Sequence, residues 1–140
     1  MLNTVMRALG APKRFLKRTD GTATVEAVLW FPIFIAVFGL MVDATMIFHG
    51  QAKVLRVIQD GNRNLSIGRL TTAAQTETYI ENELAALNIT ATASTTETAG
   101  VAYTVVTVQA SQLQLLGYFS ALTNLELQVG AEHMIENWEV

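Results

Sequence analysis

A chain of 140 residues that is 51% hydrophobic and only 15% charged, with a net charge of -3, has room for one small folded domain and is more apolar than an ordinary soluble chain of that length. Zero cysteines exclude disulfide staples, thiol nucleophiles and cysteine-ligated zinc, and leave the redox compartment undecided. The charge is uneven, because Arg7, Lys13, Arg14, Lys17 and Arg18 face Asp20 alone in residues 1–21, whereas Lys53, Arg56, Arg63 and Arg69 face nine acids in residues 49–140. A basic head and an acidic body disfavour nucleic acid as a partner. They suit a membrane topology in which the basic end stays in the cytoplasm and residues from about Phe48 onward are exported.

Residues 1–21 hold Gly10 and Pro12 before the basic run from Lys13 to Arg18, too short and polar to pack a core, and read as a cytoplasmic leader. From Thr22 a long helix is expected. Ala27 to Val42 contains no charge, and Ala44, Met46, Ile47 and Phe48 continue the apolar character beyond Asp43. A helix from Thr22 to Asp60 would run roughly 58 Å at ~1.5 Å per residue, whereas a bilayer core takes ~20 residues, so its last third is expected to project into water. Pro32 lies inside the apolar part, where a kink is expected, since membrane helices repair the lost hydrogen bond locally. Further on, Val54, Leu55, Ile58 and Leu65 recur at helical steps with Lys53, Arg56, Gln59, Asp60 and Arg63 mostly between them. Gly61 and Gly68 should weaken and then end the helix.

Thr72-Ala73-Ala74-Gln75 has the form of a capping box, and Ala73, Ile80, Leu84 and Leu87 make one apolar stripe of a second, short helix reaching Asn88. Ile89 to Thr98 alternates with period two and is threonine-rich, Ala99-Gly100 is a turn, and Val101 to Val108 is a β-branched run, so the two runs predict a hairpin with a well-buried second strand. Ser111 to Gln114 repeats the capping-box form, and Leu113, Leu116 and Phe119 would pack one helical turn or a loop. Leu125, Leu127, Val129, Ala131, His133 and Ile135 alternate with Glu126, Gln128, Gly130, Glu132, Met134 and Glu136, predicting a last strand with one buried face and one wet, acidic face. The class is α+β: a long N-terminal transmembrane and stalk helix, a short helix and a small antiparallel sheet. The divisions are a leader over 1–21, the transmembrane and stalk helix over 22–68, and an exported α+β domain over 69–140.

No reactive constellation stands out. His49 and His133 lack a second ligand at helical metal spacing, Glu132 and Glu136 are four apart but fall in a strand pattern, and the Gly61 to Gly68 stretch lacks the lysine and serine of a phosphate loop. His133 reads as a half-buried strand residue. The expectation is a protein that is not an enzyme and takes no cofactor and no metal. Two acids beside the apolar run need a reason, since charge inside a bilayer is costly. Asp43 reads as a boundary residue reaching the outer interface, or as an intramembrane polar contact to a neighbouring subunit. Glu26, near the helix start, suits the positive end of the helix dipole.

Arg14-Phe15-Leu16-Lys17-Arg18-Thr19-Asp20-Gly21-Thr22-Ala23-Thr24-Val25-Glu26, followed at once by an apolar helix with a proline, resembles the TadE-like family of minor pseudopilins from bacterial tight-adherence (Tad, or Flp) pilus systems. The resemblance spans residues 14 to about 70, and the rest agrees in kind only: a short helix, a few strands and a last strand ending near an acid, here Glu136. It implies that a membrane-embedded prepilin peptidase cuts between Gly21 and Thr22 on the cytoplasmic side. It also gives Glu26 two uses, recognition by the peptidase and pairing with the new Thr22 α-amine of a neighbouring subunit during assembly. The implied partners are that peptidase, other pilin or pseudopilin subunits, the inner-membrane assembly platform and membrane lipid. Ala27 after Glu26, and Thr22 as first mature residue, depart from the major-pilin pattern and fit a minor subunit. The implied place is the bacterial inner membrane, crossed once, with the C-terminal domain periplasmic.

Two other readings of the residues stand beside this one. Residues 13–18, 27–42 and Val42-Asp43-Ala44 could be the basic region, apolar region and cleavage site of a signal peptide on a secreted domain. The apolar run could equally be an uncleaved single-pass anchor for a binding module.

Overall fold

The computed structural model describes residues 20–118 and 125–136, with side chains from Thr24 onward. The leader up to Thr19 and the Phe119 packing expected above lie outside them. The elements are helix α1 (Asp20–Ser66), helix α2 (Ala73–Ala86), and strands β1 (Ala91–Thr98), β2 (Val101–Gln109) and β3 (Glu126–Met134), with one 3-10 turn at Ala110–Gln112. The α+β class is therefore as expected. The chain falls into two units, residues 1–38 and residues 39–140.

In the first unit the described side chains belong to α1. Every residue from Thr24 to Phe38 is exposed, among them Val28 and Leu29 at 67% and Phe38 at 66%. Pro32 sits within the helix without ending it.

In the second unit the same helix acquires a buried face. Gly39, Asp43, Ile47, Gly50, Val54, Ile58, Gly61 and Leu65 are all buried and recur at steps of three and four. Three of them are glycines eleven residues apart, about three turns, so they line up along one side. Each admits a neighbour that a Cβ would exclude: a Cβ on Gly39 would lie 2.5 Å from Tyr118 Cε2, on Gly50 2.8 Å from Leu113 Cδ2, and on Gly61 2.6 Å from Ile80 Cγ1. The helix runs on through Gly61, whose missing side chain leaves room for Ile80 of the next helix. The helix ends past Ser66 with Gly68 at φ +74, its N–H donating to the Leu65 carbonyl at 3.1 Å.

Helix α2 begins with Thr72 as N-cap, its Oγ1 accepting the Gln75 N–H at 3.2 Å. The reciprocal half of the box reaches one residue further back, since Gln75 Oε1 accepts from the Thr71 N–H at 2.9 Å. The buried positions are Thr76, Ile80 and Leu84. Leu87, expected in that stripe, is 49% exposed because the helix has already closed, with Asn88 at φ 60.

The sheet is antiparallel in the order β1-β2-β3. Ala91 pairs with Val108 and Thr98 with Val101 across the two-residue turn, whose Ala99 and Gly100 both have positive φ (51 and 77) as a turn matching the sheet twist requires. Val101 pairs with Met134 and Gln109 with Glu126 on the other side of β2. Strand β2 is buried at every second residue, Ala102, Thr104, Val106 and Val108, and on the opposite face Val101, Val105 and Thr107 are partly covered while Tyr103 is exposed. In β3 Leu127, Val129 and Ala131 are half-buried, whereas His133, expected to be half-buried, is exposed. Ser111 lies inside the 3-10 turn, which has no side-chain cap.

The core joins α1 (Ile47, Val54, Ile58), α2 (Ile80, Leu84) and the sheet (Ala93, Val106, Val108), closed at one end by Leu113. Val54, Ile58, Ile80 and Leu84 are fully buried, each contributing about 1.5–3 kcal/mol relative to exposure. A polar line crosses this core: Thr104 Oγ1 donates to Asn62 Oδ1 at 2.6 Å and lies 2.9 Å from Thr95 Oγ1, while Asn62 Nδ2 donates to the Ala131 carbonyl at 3.1 Å. It ties α1 to all three strands and sets which helix turn meets which strand residue. The outer N–H groups of β1 at Ala93 and Thr95 are taken by Glu81 Oε1 (2.9 Å) and Glu77 Oε1 (2.6 Å) from α2, so this sheet edge is capped.

Candidate functional site

The residues singled out in the sequence lie along α1. Gly21 and Thr22 fall in its first turn, one residue past its start at Asp20. Glu26 is one turn further on, and its side chain is exposed. It shares a helix face with Trp30 and Phe34 at successive steps of four, and the three line a shallow open hollow with Ala27 and Phe31. The two rings lie 6.2 Å apart and tilted by 40°. Glu26 is the one ionisable side chain between Thr22 and Val42, so this stretch joins a single carboxylate to an otherwise apolar, outward-facing surface. Among the described residues, α1 is the one helix long and apolar enough to cross a membrane, counted over Thr24–Ser66.

Residues 21–63 match the family model of the TadE-like protein. This chain carries a TadE-like domain. The match opens on Gly21, takes in Glu26, Pro32 and Asp43, and stops three residues short of the end of α1. The TadE-like segment is thus this helix alone, and it associates the protein with the Tad pilus system. Helix α2 and the sheet fall outside the match. No curated protein and no solved structure matches the chain.

Asp43 of the TadE-like segment is fully buried. Its Oδ1 accepts the backbone N–H groups of Leu115 (3.0 Å) and Leu116 (2.6 Å), and its Oδ2 accepts that of Tyr118 (2.7 Å). A carboxylate collecting several backbone donors holds a loop in one conformation far better than a neutral acceptor would. The bonds are made within the second unit, so Asp43 has an intrachain task that its position in the sequence did not suggest. The available signal was Gly39, one turn before it, and the eleven-residue spacing of Gly39, Gly50 and Gly61, which marks a helix face on which other backbone packs closely.

The remaining candidates are not brought together. His49 and His133 are both exposed, and among the described residues no group of three or more His, Cys, Asp or Glu side chains could hold a metal ion. Glu136 lies just past β3, with its N–H donating to Ser66 Oγ at 3.2 Å, and Ser66 in turn donates to the Met134 carbonyl at 2.8 Å. These bonds fasten the end of β3 to the end of α1.

Proposed function

We propose that this chain is a minor pseudopilin of a tight-adherence pilus, a non-enzymatic structural subunit that a prepilin peptidase cuts between Gly21 and Thr22 and that helps initiate or modify the filament. The observation that carries the reading is the coincidence of the TadE-like match, which opens on Gly21, with a helix exposed on all sides from Thr24 to Phe38. Such a surface is stable against lipid or the apolar helices of neighbouring subunits and not against water. The basic residues before Gly21 keep the N-terminus cytoplasmic by the positive-inside rule, which puts the folded domain on the periplasmic side of the bacterial inner membrane.

Glu26 has a geometric task in this reading. Cutting after Gly21 creates a positive α-amine at Thr22, and in an apolar helix bundle the Glu26 carboxylate of one subunit pairs with the amine of the next, offsetting the desolvation of both and setting axial register. Other pilin or pseudopilin subunits and the inner-membrane assembly platform are the partners. A signal peptide cut after Ala44 is disfavoured because it would remove both Gly39 and Asp43 and leave the N–H groups of Leu115, Leu116 and Tyr118 without their acceptor.

The test is the intact mass and N-terminal sequence of the membrane-bound product after expression with its candidate peptidase. A new N-terminus at Thr22, still in the membrane, is the expected result. A start at Thr45 in the soluble fraction would mean a secreted domain, and an intact Met1 would leave an anchored module; either overturns the proposal.

A further inference from the structure

We propose that the loop from Leu113 to Tyr118 is a second membrane contact, seated in the interface of the leaflet from which α1 emerges, with Leu115 and Leu116 as its lipid-facing side chains. The proposal rests on the reading of residues from Thr24 to about Val42 as a membrane span. Leu113 turns inward and is buried against Gly50, whereas Leu115 is 65% and Leu116 54% exposed. Tyr118 packs on Gly39, and Asp43 holds the loop backbone. The loop is therefore fastened to the helix at Gly39 and Asp43, at the end of the uncharged run that closes at Val42. Met41 (59%) and Val42 (40%) are exposed on the same stretch of helix, so helix and loop together carry an apolar collar where the chain leaves the span.

Two arguments favour lipid over another occupant. First, Met41 and Val42 are the last residues of the uncharged run from Ala27 to Val42, and the loop is bound to the same stretch of helix at Gly39 and Asp43. Second, backbone N–H groups cannot be left unpaired where water is scarce. Those of Leu115, Leu116 and Tyr118 are all taken by Asp43, which removes the main penalty for placing a loop in the interface. Tyrosine with an apolar body and a polar tip is the residue type enriched at this depth.

Because the chain has no cysteine, single nitroxide labels can be placed in the full-length protein reconstituted into phosphatidylcholine–phosphatidylglycerol vesicles. The sites are Leu115→Cys and Leu116→Cys, with Ile35→Cys as the span control and Thr92→Cys, an exposed β1 position, as the water control. Power saturation compares collision with oxygen, which partitions into lipid, against a water-soluble nickel complex. The expected result is an oxygen-to-nickel ratio at both leucine sites several-fold above that at Thr92 and below that at Ile35. Ratios at Leu115 and Leu116 equal to Thr92, with Ile35 deep, would overturn the loop proposal and leave the span standing. A water-like Ile35 would remove the span and the proposal with it. Poor access to both reagents at the leucines, with spin–spin broadening, would overturn it in favour of a second copy covering the loop. Both sites are exposed, so neither label disturbs the core.

Discussion

Asp43 and Leu116 stand 73 positions apart in the chain, and the Asp43 Oδ1 accepts the Leu116 backbone N–H at 2.6 Å. With Leu115 and Tyr118 donating to the same carboxylate, one side chain in the TadE-like segment fixes a loop that otherwise has little regular structure. Asp43→Ala strands all three donors and should lower the melting temperature of the detergent-solubilised chain. Asp43→Asn retains one oxygen but turns an amide NH2 group on the third donor, so its melting temperature should fall between those of Asp43→Ala and the unaltered chain. Hydrogen exchange should quicken at Leu115, Leu116 and Tyr118 before it does in β2. Exchange unchanged at these amides would show that the carboxylate does not hold the loop.

Gly61 decides how closely the two helices approach. Alanine is the better helix former by ~1 kcal/mol, but its Cβ would meet Ile80 Cγ1 at 2.6 Å and Cδ1 at 2.8 Å, and overpacking a closed core costs ~1–3 kcal/mol. Gly61→Ala should therefore destabilise the protein by about 1 kcal/mol net. Adding Ile80→Val, which removes Cδ1, should recover part of the loss in a double-mutant cycle of thermal unfolding.

The buried polar line through Thr104 is sensitive to single deletions. Thr104→Val keeps the shape but leaves Asn62 Oδ1 and the Thr95 hydroxyl without their partner, at a cost of roughly 2 kcal/mol. Denaturant unfolding of Thr104→Val alongside Thr104→Ser, which keeps the hydroxyl, separates the hydrogen bond from the methyl packing. A loss confined to Thr104→Ser, with Thr104→Val unchanged, would assign the effect to packing.

Ala99 offers a gain. Its φ of 51 is a left-handed conformation that costs an L-residue about 1–2 kcal/mol. Part of that relief is offset by the extra freedom of glycine in the unfolded chain, so Ala99→Gly should stabilise by about 0.5–1 kcal/mol. A raised melting temperature with β1–β2 register intact checks it.

Glu26→Ala tests the assembly role. The substitution removes a charge from an apolar helix, so membrane insertion should be undiminished, while recovery of the subunit with assembled pili should be lost. Fractionation followed by immunodetection reads both, and unchanged assembly would rule out the pairing with the Thr22 amine.

What the sequence by itself determined is whatever depends on local periodicity. An uncharged run from Ala27 to Val42 dictates an apolar helix. Alternating Leu127, Val129 and Ala131 dictate a strand with one half-buried face, and Ala99-Gly100 between two β-branched runs dictates a two-residue turn. Gly21 and Glu26 before the apolar run carried the resemblance that the family match then supported. Only the tertiary structure decided what depends on packing between distant segments. Gly61 looked like a breaker because propensity reads one helix at a time, and only the presence of Ile80 makes it a point of close approach. Asp43 looked like a charge stranded near a membrane because its donors are backbone N–H groups, which every residue but proline carries and no sequence pattern advertises. His133 followed the strand alternation and was still exposed, because alternation says which face a side chain takes and not how much of that face is covered.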